Sequence, residues 1–128
     1  MNKFFHFNEY VELGKCFKEC EAYLIALENF NKAIELSTIL PINTDRLLEA
    51  YDLRGNTKMF LGRYIESICD YSKAIELNPE ESYLYLFRGM AYEFLGQNIE
   101  ALKNLKISML LNPYNSLAEG MIDYLENE

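Results

Sequence analysis

The sequence has no tryptophan, one histidine, three prolines and three cysteines in 128 residues. Each scarcity narrows what the chain can be. With His6 as the sole imidazole, flanked by Phe5 and Phe7, nucleophile–base catalysis has one candidate base, and nothing in the sequence sets it opposite Cys16 or Cys20. Cys16, Cys20 and Cys69 are an odd set without a CxxC pair, which argues against a disulfide framework or a structural zinc site. Cys16 and Cys20 could share a helix face, but no third or fourth ligand is near, so all three are expected as small buried or half-buried hydrophobes. Glycines stand singly and form no phosphate-cradling loop. No catalytic residue, cofactor or metal is expected.

Cations are also scarce. Lys and Arg total 12 against 20 Asp and Glu, a net charge of −8, and phosphate backbones are held by clustered cations that release counterions. Nucleic acid is therefore not an expected partner. Charged residues interrupt every apolar run before it reaches the ~18 residues that a membrane span needs. The first ten residues carry one Lys and no long apolar core, so they do not read as a secretory signal. A cytoplasmic protein is expected. What remains is ordinary globular material, 50% hydrophobic and 25% charged. A chain of this length can bury roughly two-thirds of its unfolded surface.

The organising feature is self-similarity. Tyr51, Gly55, Leu61, Gly62, Ala74 and Pro79 are matched 34 residues on by Tyr85, Gly89, Leu95, Gly96, Ser108 and Pro113. Lys32 to Leu36 recurs verbatim as Lys73 to Leu77 at an offset of 41, the same period plus an insertion of seven residues, placed at Ser37 to Asp45. Tyr10, Leu13, Gly14 and Phe17 then fall where Tyr51, Arg54, Gly55 and Lys58 stand. Apolar spacings of three and four, as in Leu84, Phe87, Ala91, Phe94 and Leu95, predict amphipathic helices. Gly62 and Gly96 end helices by accepting the left-handed conformation. Asn78-Pro79 and Asn112-Pro113 end others, since proline lacks a donor and displaces its predecessor from the helical region. Helices are expected at 7–20, 23–38, 44–61, 64–77, 82–95, 98–111 and 115–126.

The period and residue order resemble the tetratricopeptide repeat. The second copy matches with Tyr51, Gly55, Leu61, Gly62, Tyr64, Tyr71, Ala74 and Pro79, the third with Tyr85, Gly89, Tyr92, Leu95, Gly96, Ala101 and Pro113. In the first, Tyr10, Leu13, Gly14, Phe17, Tyr23, Ala26, Phe30 and Ala33 match, while Cys20-Glu21 replaces the Leu-Gly turn. The resemblance implies an all-α fold, a right-handed α-α superhelix of three helical hairpins with a seventh, capping helix. The organisation expected is a tail over 1–6 and one domain over 7–127, with repeats near 7–40, 48–81 and 82–115 and a cap near 115–126.

The resemblance further implies a concave groove lined by the first helix of each hairpin. The family's pattern carried onto this chain selects Asn8, Val11, Glu12, Lys15, Lys18 and Glu19, then Glu49, Asp52, Leu53, Asn56, Met59 and Phe60, then Tyr83, Leu86, Phe87, Met90, Glu93 and Phe94. Some relatives grip carboxylate termini of chaperones with Lys, Asn and Arg. Here those places hold Val11, Lys15, Leu53, Tyr83 and Phe87, so that clamp is not expected. The peptide-binding candidates are instead Leu53, Asn56, Met59, Phe60, Tyr83, Leu86, Phe87, Met90 and Phe94. The expected function is a non-catalytic protein-interaction module, a scaffold or co-chaperone-like adaptor, holding an apolar or basic segment. The alternative is a homo-oligomeric scaffold that self-associates through the same surface or the aromatic tail Phe4 to Phe7. The insertion is expected to lengthen the second helix or to add a binding edge.

Overall fold

The computed structural model describes residues 3–127. Among them the chain forms seven helices and no strand: α1 (Lys3–Glu19), α2 (Tyr23–Ser37), α3 (Thr44–Phe60), α4 (Tyr64–Leu77), α5 (Ser82–Phe94), α6 (Asn98–Leu111) and α7 (Ser116–Glu126). Helices α1 and α2, α3 and α4, and α5 and α6 pair as hairpins, each hairpin packs on the next, and α7 closes on α6. Six of the helices lie within one residue of the expected limits. The first starts four residues earlier than expected, so residues 3–6 lengthen α1. Met1 and Asn2, the rest of the expected tail, lie outside the described residues, as do the side chains of Phe4 and Phe5.

Three small cores repeat along the stack. Phe7, Val11, Ala33, Ile34 and Ala50 join α1, α2 and α3. Leu48, Tyr71, Ala74 and Leu84 join α3, α4 and α5. Leu86, Ala101, Leu105, Ala118 and Leu125 join α5, α6 and α7. Every core thus spans one hairpin and the helix that follows it, as expected of a solenoid stabilised by nearest-neighbour interfaces. Within the first hairpin α1 and α2 approach so closely that a Cβ on Gly14 would lie 2.4 Å from the Phe30 ring.

The turn between α1 and α2 keeps the geometry of the other two without their residue. Glu21 has φ 61°, against 76° at Gly62 and 77° at Gly96. A side chain in that region costs roughly 1 kcal/mol. The inserted residues do not chiefly lengthen the second helix. Relative to the later hairpins, α2 gains one residue, the connection two and the start of α3 four. The hydroxyls of Ser37 and Thr38 fold back onto the carbonyls of Ile34 and Glu35 at the end of α2. Asn43 caps α3, its Oδ1 accepting from the amides of Asp45 and Arg46. The result is one extra helical turn at the start of α3.

Candidate functional site: a groove with two unlike ends

Helices α1, α3 and α5 lie side by side, α3 touching both of the others. Their shared surface changes character along its length. Toward the helix C-termini, Asn56, Met59, Phe60, Tyr64, Phe87, Met90 and Phe94 line a cleft of about 240 Å³. Its walls are held by stacked rings. Tyr23, which opens α2, lies on Phe60, which closes α3, with centroids 4.9 Å apart. Tyr64 and Phe94 repeat the arrangement one hairpin later at 5.0 Å. Phe87, at the base, stacks on the buried Tyr71 ring at 5.9 Å. Offset stacking restricts ring motion and so keeps the cleft open and apolar. Phe60 and Phe94 remain 60% and 57% exposed.

Toward the helix N-termini the groove is charged. Asp45, Arg46, Leu48, Glu49, Asp52, Asn78, Glu81 and Tyr83 border a more open hollow of about 410 Å³. Arg46, on the extra turn of α3, donates from Nη1 to Glu49 at 2.6 Å and from Nε and Nη2 to Asn8 Oδ1 at 3.1 and 2.9 Å. Lys15 on α1 reaches Glu49 at 3.2 Å and Glu12 at 3.5 Å. The hydrogen bond to Glu49 raises the Lys15 pKa. Burial pushes Asp52 up to about 6, against the opposing pull of Lys18 and the Tyr83 hydroxyl, while Glu49 adds to the rise. Burial, then the Asp52 charge, push Tyr83 up to about 12.

Six of the nine candidates, Asn56, Met59, Phe60, Phe87, Met90 and Phe94, meet in the apolar cleft. Tyr83 stands in the charged hollow. Leu53 is half-buried against the first core, and Leu86 is buried with α6 and α7. Of the wider set, Val11 is fully buried, Lys15, Lys18 and Glu93 are half-buried, and Asn8, Glu12 and Glu19 are exposed. Tyr64 and Arg46 contribute although the repeat pattern did not select them. Tyr64 comes from the start of α4, and its signal is the matching Tyr23 one copy earlier. Arg46 belongs to the insertion and has no counterpart in the third copy.

The cysteines correct an expectation. Cys16, Cys20 and Cys69 are all exposed thiols rather than buried hydrophobes, because they stand on outward faces of α1 and α4 and in the first turn. Among the described residues no group of three or more His, Cys, Asp or Glu is placed to hold a metal ion. His6 lies half-buried on α1 with Nδ1 3.8 Å from Glu9. No helix among the described residues is long and apolar enough to cross a membrane.

Residues 48–81 match the family described as Tetratricopeptide repeat. The chain has the tetratricopeptide-repeat fold. Its second hairpin is the matched copy, and the three hairpins with their closing helix superpose on solved tetratricopeptide-repeat structures. The second such domain of human RPAP3, solved with an HSP70 peptide, has a TM-score of 0.85 at 22% identity, covering 99% of this chain and all (100%) of that one. MamA gives 0.85 at 21% identity over 94% of this chain and 67% of its own. The Arabidopsis OM64 domain gives 0.82 at 22% identity, with 94% of each chain covered. No curated protein sequence matches the chain. In the terms of the fold, α1, α3 and α5 are the first helices of the repeats, and the two-ended groove is their shared surface.

Proposed function

We propose that this tetratricopeptide-repeat chain is a non-catalytic interaction module, a scaffold or co-chaperone-like adaptor, that holds a peptide segment in the groove by apolar anchors. The observation that carries this reading is the cleft between Asn56 and Phe94, where two phenylalanines that stacking holds in place stay more than half exposed. An anchor side chain from a partner would find apolar walls already ordered there, which lowers the entropic cost of capture. Relatives with this fold include domains solved with HSP70 and HSP90 peptides. The acidic termini of those peptides, printed as SGPTIEEVD and SRMEEVD, would suit this groove poorly. Lys15 and Arg46 are occupied by Glu12 and Glu49, and Val11 and Leu53 pack into the core. The clamp-free, apolar mode is the one its residues favour.

The test is selection of random displayed peptides on the immobilised full chain, followed by titration of a selected peptide. Phe60→Asp with Phe94→Asp, both at exposed rings, should leave the helical circular dichroism unchanged and weaken capture at least about a hundredfold. Unchanged affinity in the folded double variant would overturn the reading.

A second reading, self-assembly, draws on a different surface from the groove or the aromatic tail. Leu110, Tyr114 and Leu117, at the α7 end, are 82%, 93% and 54% exposed. Phe7, from the tail, is 1% exposed and belongs to the first core. Light scattering on the eluting protein separates the readings, since a monomer at high concentration excludes this one.

A further inference from the structure

The outward face of the second helices changes character along the stack. At equivalent places in the repeat, α2 carries Lys32 and Glu35, and α4 with its following turn carries Lys73, Glu76 and Glu80. All five are exposed, as charged side chains on a solvated face should be. One period after the second set, the same places hold Ile107, Leu110 and Tyr114. The local backbone is the same, since the Tyr114 amide donates to Asn112 Oδ1 as the Glu80 amide donates to Asn78 Oδ1. Leu110 and Tyr114 are the two most exposed large hydrophobic residues among those described, and Ile107 and Leu111 are exposed with them. The three on α6 stand away from Ala101, Asn104, Leu105 and Ser108, its buried side.

We propose that this face joins two molecules of the chain back to back, α6 against α6 in antiparallel order about a two-fold axis, with both grooves left open. The inference rests on the self-assembly reading and fixes its surface, symmetry and register. Together the four side chains present on the order of 500 Å². A standard interface buries roughly 800 Å² per partner, more than half of it apolar, so the patch supplies the apolar part and the polar residues around it the rest. Charge permits the match. The net charge of −8 opposes contact between two molecules in general. On this face, however, the charged neighbours are already paired within the chain, Lys103 with Glu100 at 3.4 Å and Lys106 with Glu126 at 3.3 Å. A locally neutral rim selects no partner of opposite charge and admits a like one.

Spacing sets the register. Residues 107, 110, 111 and 114 follow one another at intervals of three, one and three, an order that reads the same in both directions. An antiparallel pair about an axis between 110 and 111 therefore sets Ile107 on the partner's Tyr114 and Leu110 on the partner's Leu111, twice over. The same axis relates Lys106 to the partner's Asn115, so no lysine meets a lysine. Helix α6 touches α5 and α7 and lines neither end of the groove, so the pair holds two grooves at once.

The experiment is sedimentation equilibrium on the full chain across a dilution series. Expected is a dimer that dissociates on dilution. Writing the second hairpin's residues into the third, as Leu110→Glu with Tyr114→Glu, should leave the helical circular dichroism unchanged, since both side chains are in solvent. It should weaken the dimer at least about a hundredfold, because each molecule loses two apolar anchors. Phe60→Asp with Phe94→Asp, in the groove, should leave the dimer as it is. Ile107→Glu and Tyr114→Lys chains, each weakened alone, should pair when mixed, because the antiparallel register sets the new charges opposite one another. Mixed chains that stay apart would overturn that register. A dimer that survives Leu110→Glu with Tyr114→Glu would overturn the inference as a whole and leave self-assembly standing through another surface. A chain that is monomeric throughout would overturn both and leave the groove reading standing.

Discussion

The second and third hairpins have the same backbone plan and different chemistry inside. In the second, Arg54 donates twice to Asp70, at 3.0 and 2.7 Å, and Lys58 joins the same carboxylate at 3.1 Å. These side chains are only 18%, 3% and 10% exposed. One period later Arg88 donates to Asn104 at 2.7 Å, and Tyr92 stands where Lys58 did. The guanidiniums also keep equivalent neighbours. Arg54 and Arg88 lie 5.6 Å from the Tyr51 and Tyr85 rings, and each donates back to the preceding hairpin, to Asn31 and to Ser72. The repeat therefore conserves a geometry within this chain, an arginine bridging two hairpins, and leaves the acceptor free to be an ion or an amide. The groove face shows the same freedom, since the position held by Asp52 in the second copy is the buried Leu86 in the third.

Breaking the charged version should have the largest effect. Asp70→Ala leaves Arg54 and Lys58 without their carboxylate and should lower unfolding stability by about 3–5 kcal/mol. Asn104→Ala in the third hairpin should lower it by only about 1–2 kcal/mol. Urea denaturation of the two variants checks the difference, and equal losses would mean that the ion cluster adds nothing to the shared geometry. Writing the third hairpin's residues into the second sharpens the point. Asp70→Asn with Lys58→Tyr should cost less than Asp70→Asn alone, because no buried ammonium is then left with only its longer contact to Glu66, at 3.8 Å.

The turns give a smaller effect. Replacing Glu21 by Gly makes the first turn like those at Gly62 and Gly96, and should raise stability by about 1 kcal/mol, read as a higher thermal midpoint. The same substitution at an ordinary helical position would lower it. The smallest change concerns pH. Asp52 has a folded-state pKa near 6, above the ordinary value of 3.8, so its ionisation opposes folding. Its contribution is most favourable below about pH 4 and is lost as the pH rises to about 6, by roughly 1 kcal/mol because solvent still reaches part of the side chain. Thermal midpoints of wild type and Asp52→Asn, compared across that window, should draw together at the acid end and separate above pH 6, with the variant the more stable.

Most helix ends were legible because their causes are local. Glycine before each later turn and proline after each later hairpin act through the conformation of a single residue, and they place the limits of α4 to α6 within a residue. The start of α1 has no such marker. The turn at Glu21 was obscure for the converse reason. Its conformation is imposed by the packing of α1 on α2, where Gly14 and Phe30 meet, against the preference of its own side chain. The insertion was visible as an offset, but its four residues of added α3 depend on the Asn43 cap and on Arg46 finding Asn8 and Glu49.

The candidate site was half legible. The repeat pattern implied by the resemblance put Met59, Phe60, Met90 and Phe94 on one face, and they share one cleft. It could not separate the neighbours Leu86 and Phe87, of which the first enters the third core and the second floors the groove. A helix apolar on several sides contains no statement of which side its partners will cover.

By itself the sequence determined the repeat, the number of hairpins and where all helices but the first begin, since those follow from period, helix propensity and backbone conformation. Only the tertiary structure decided what the groove offers. The stacking of one hairpin on the next chooses which aromatic rings stay in solvent, which lysines are already paired, and which carboxylate partial burial makes harder to ionise. Those are properties of distances between residues far apart in the chain, and burial and charge act through those distances.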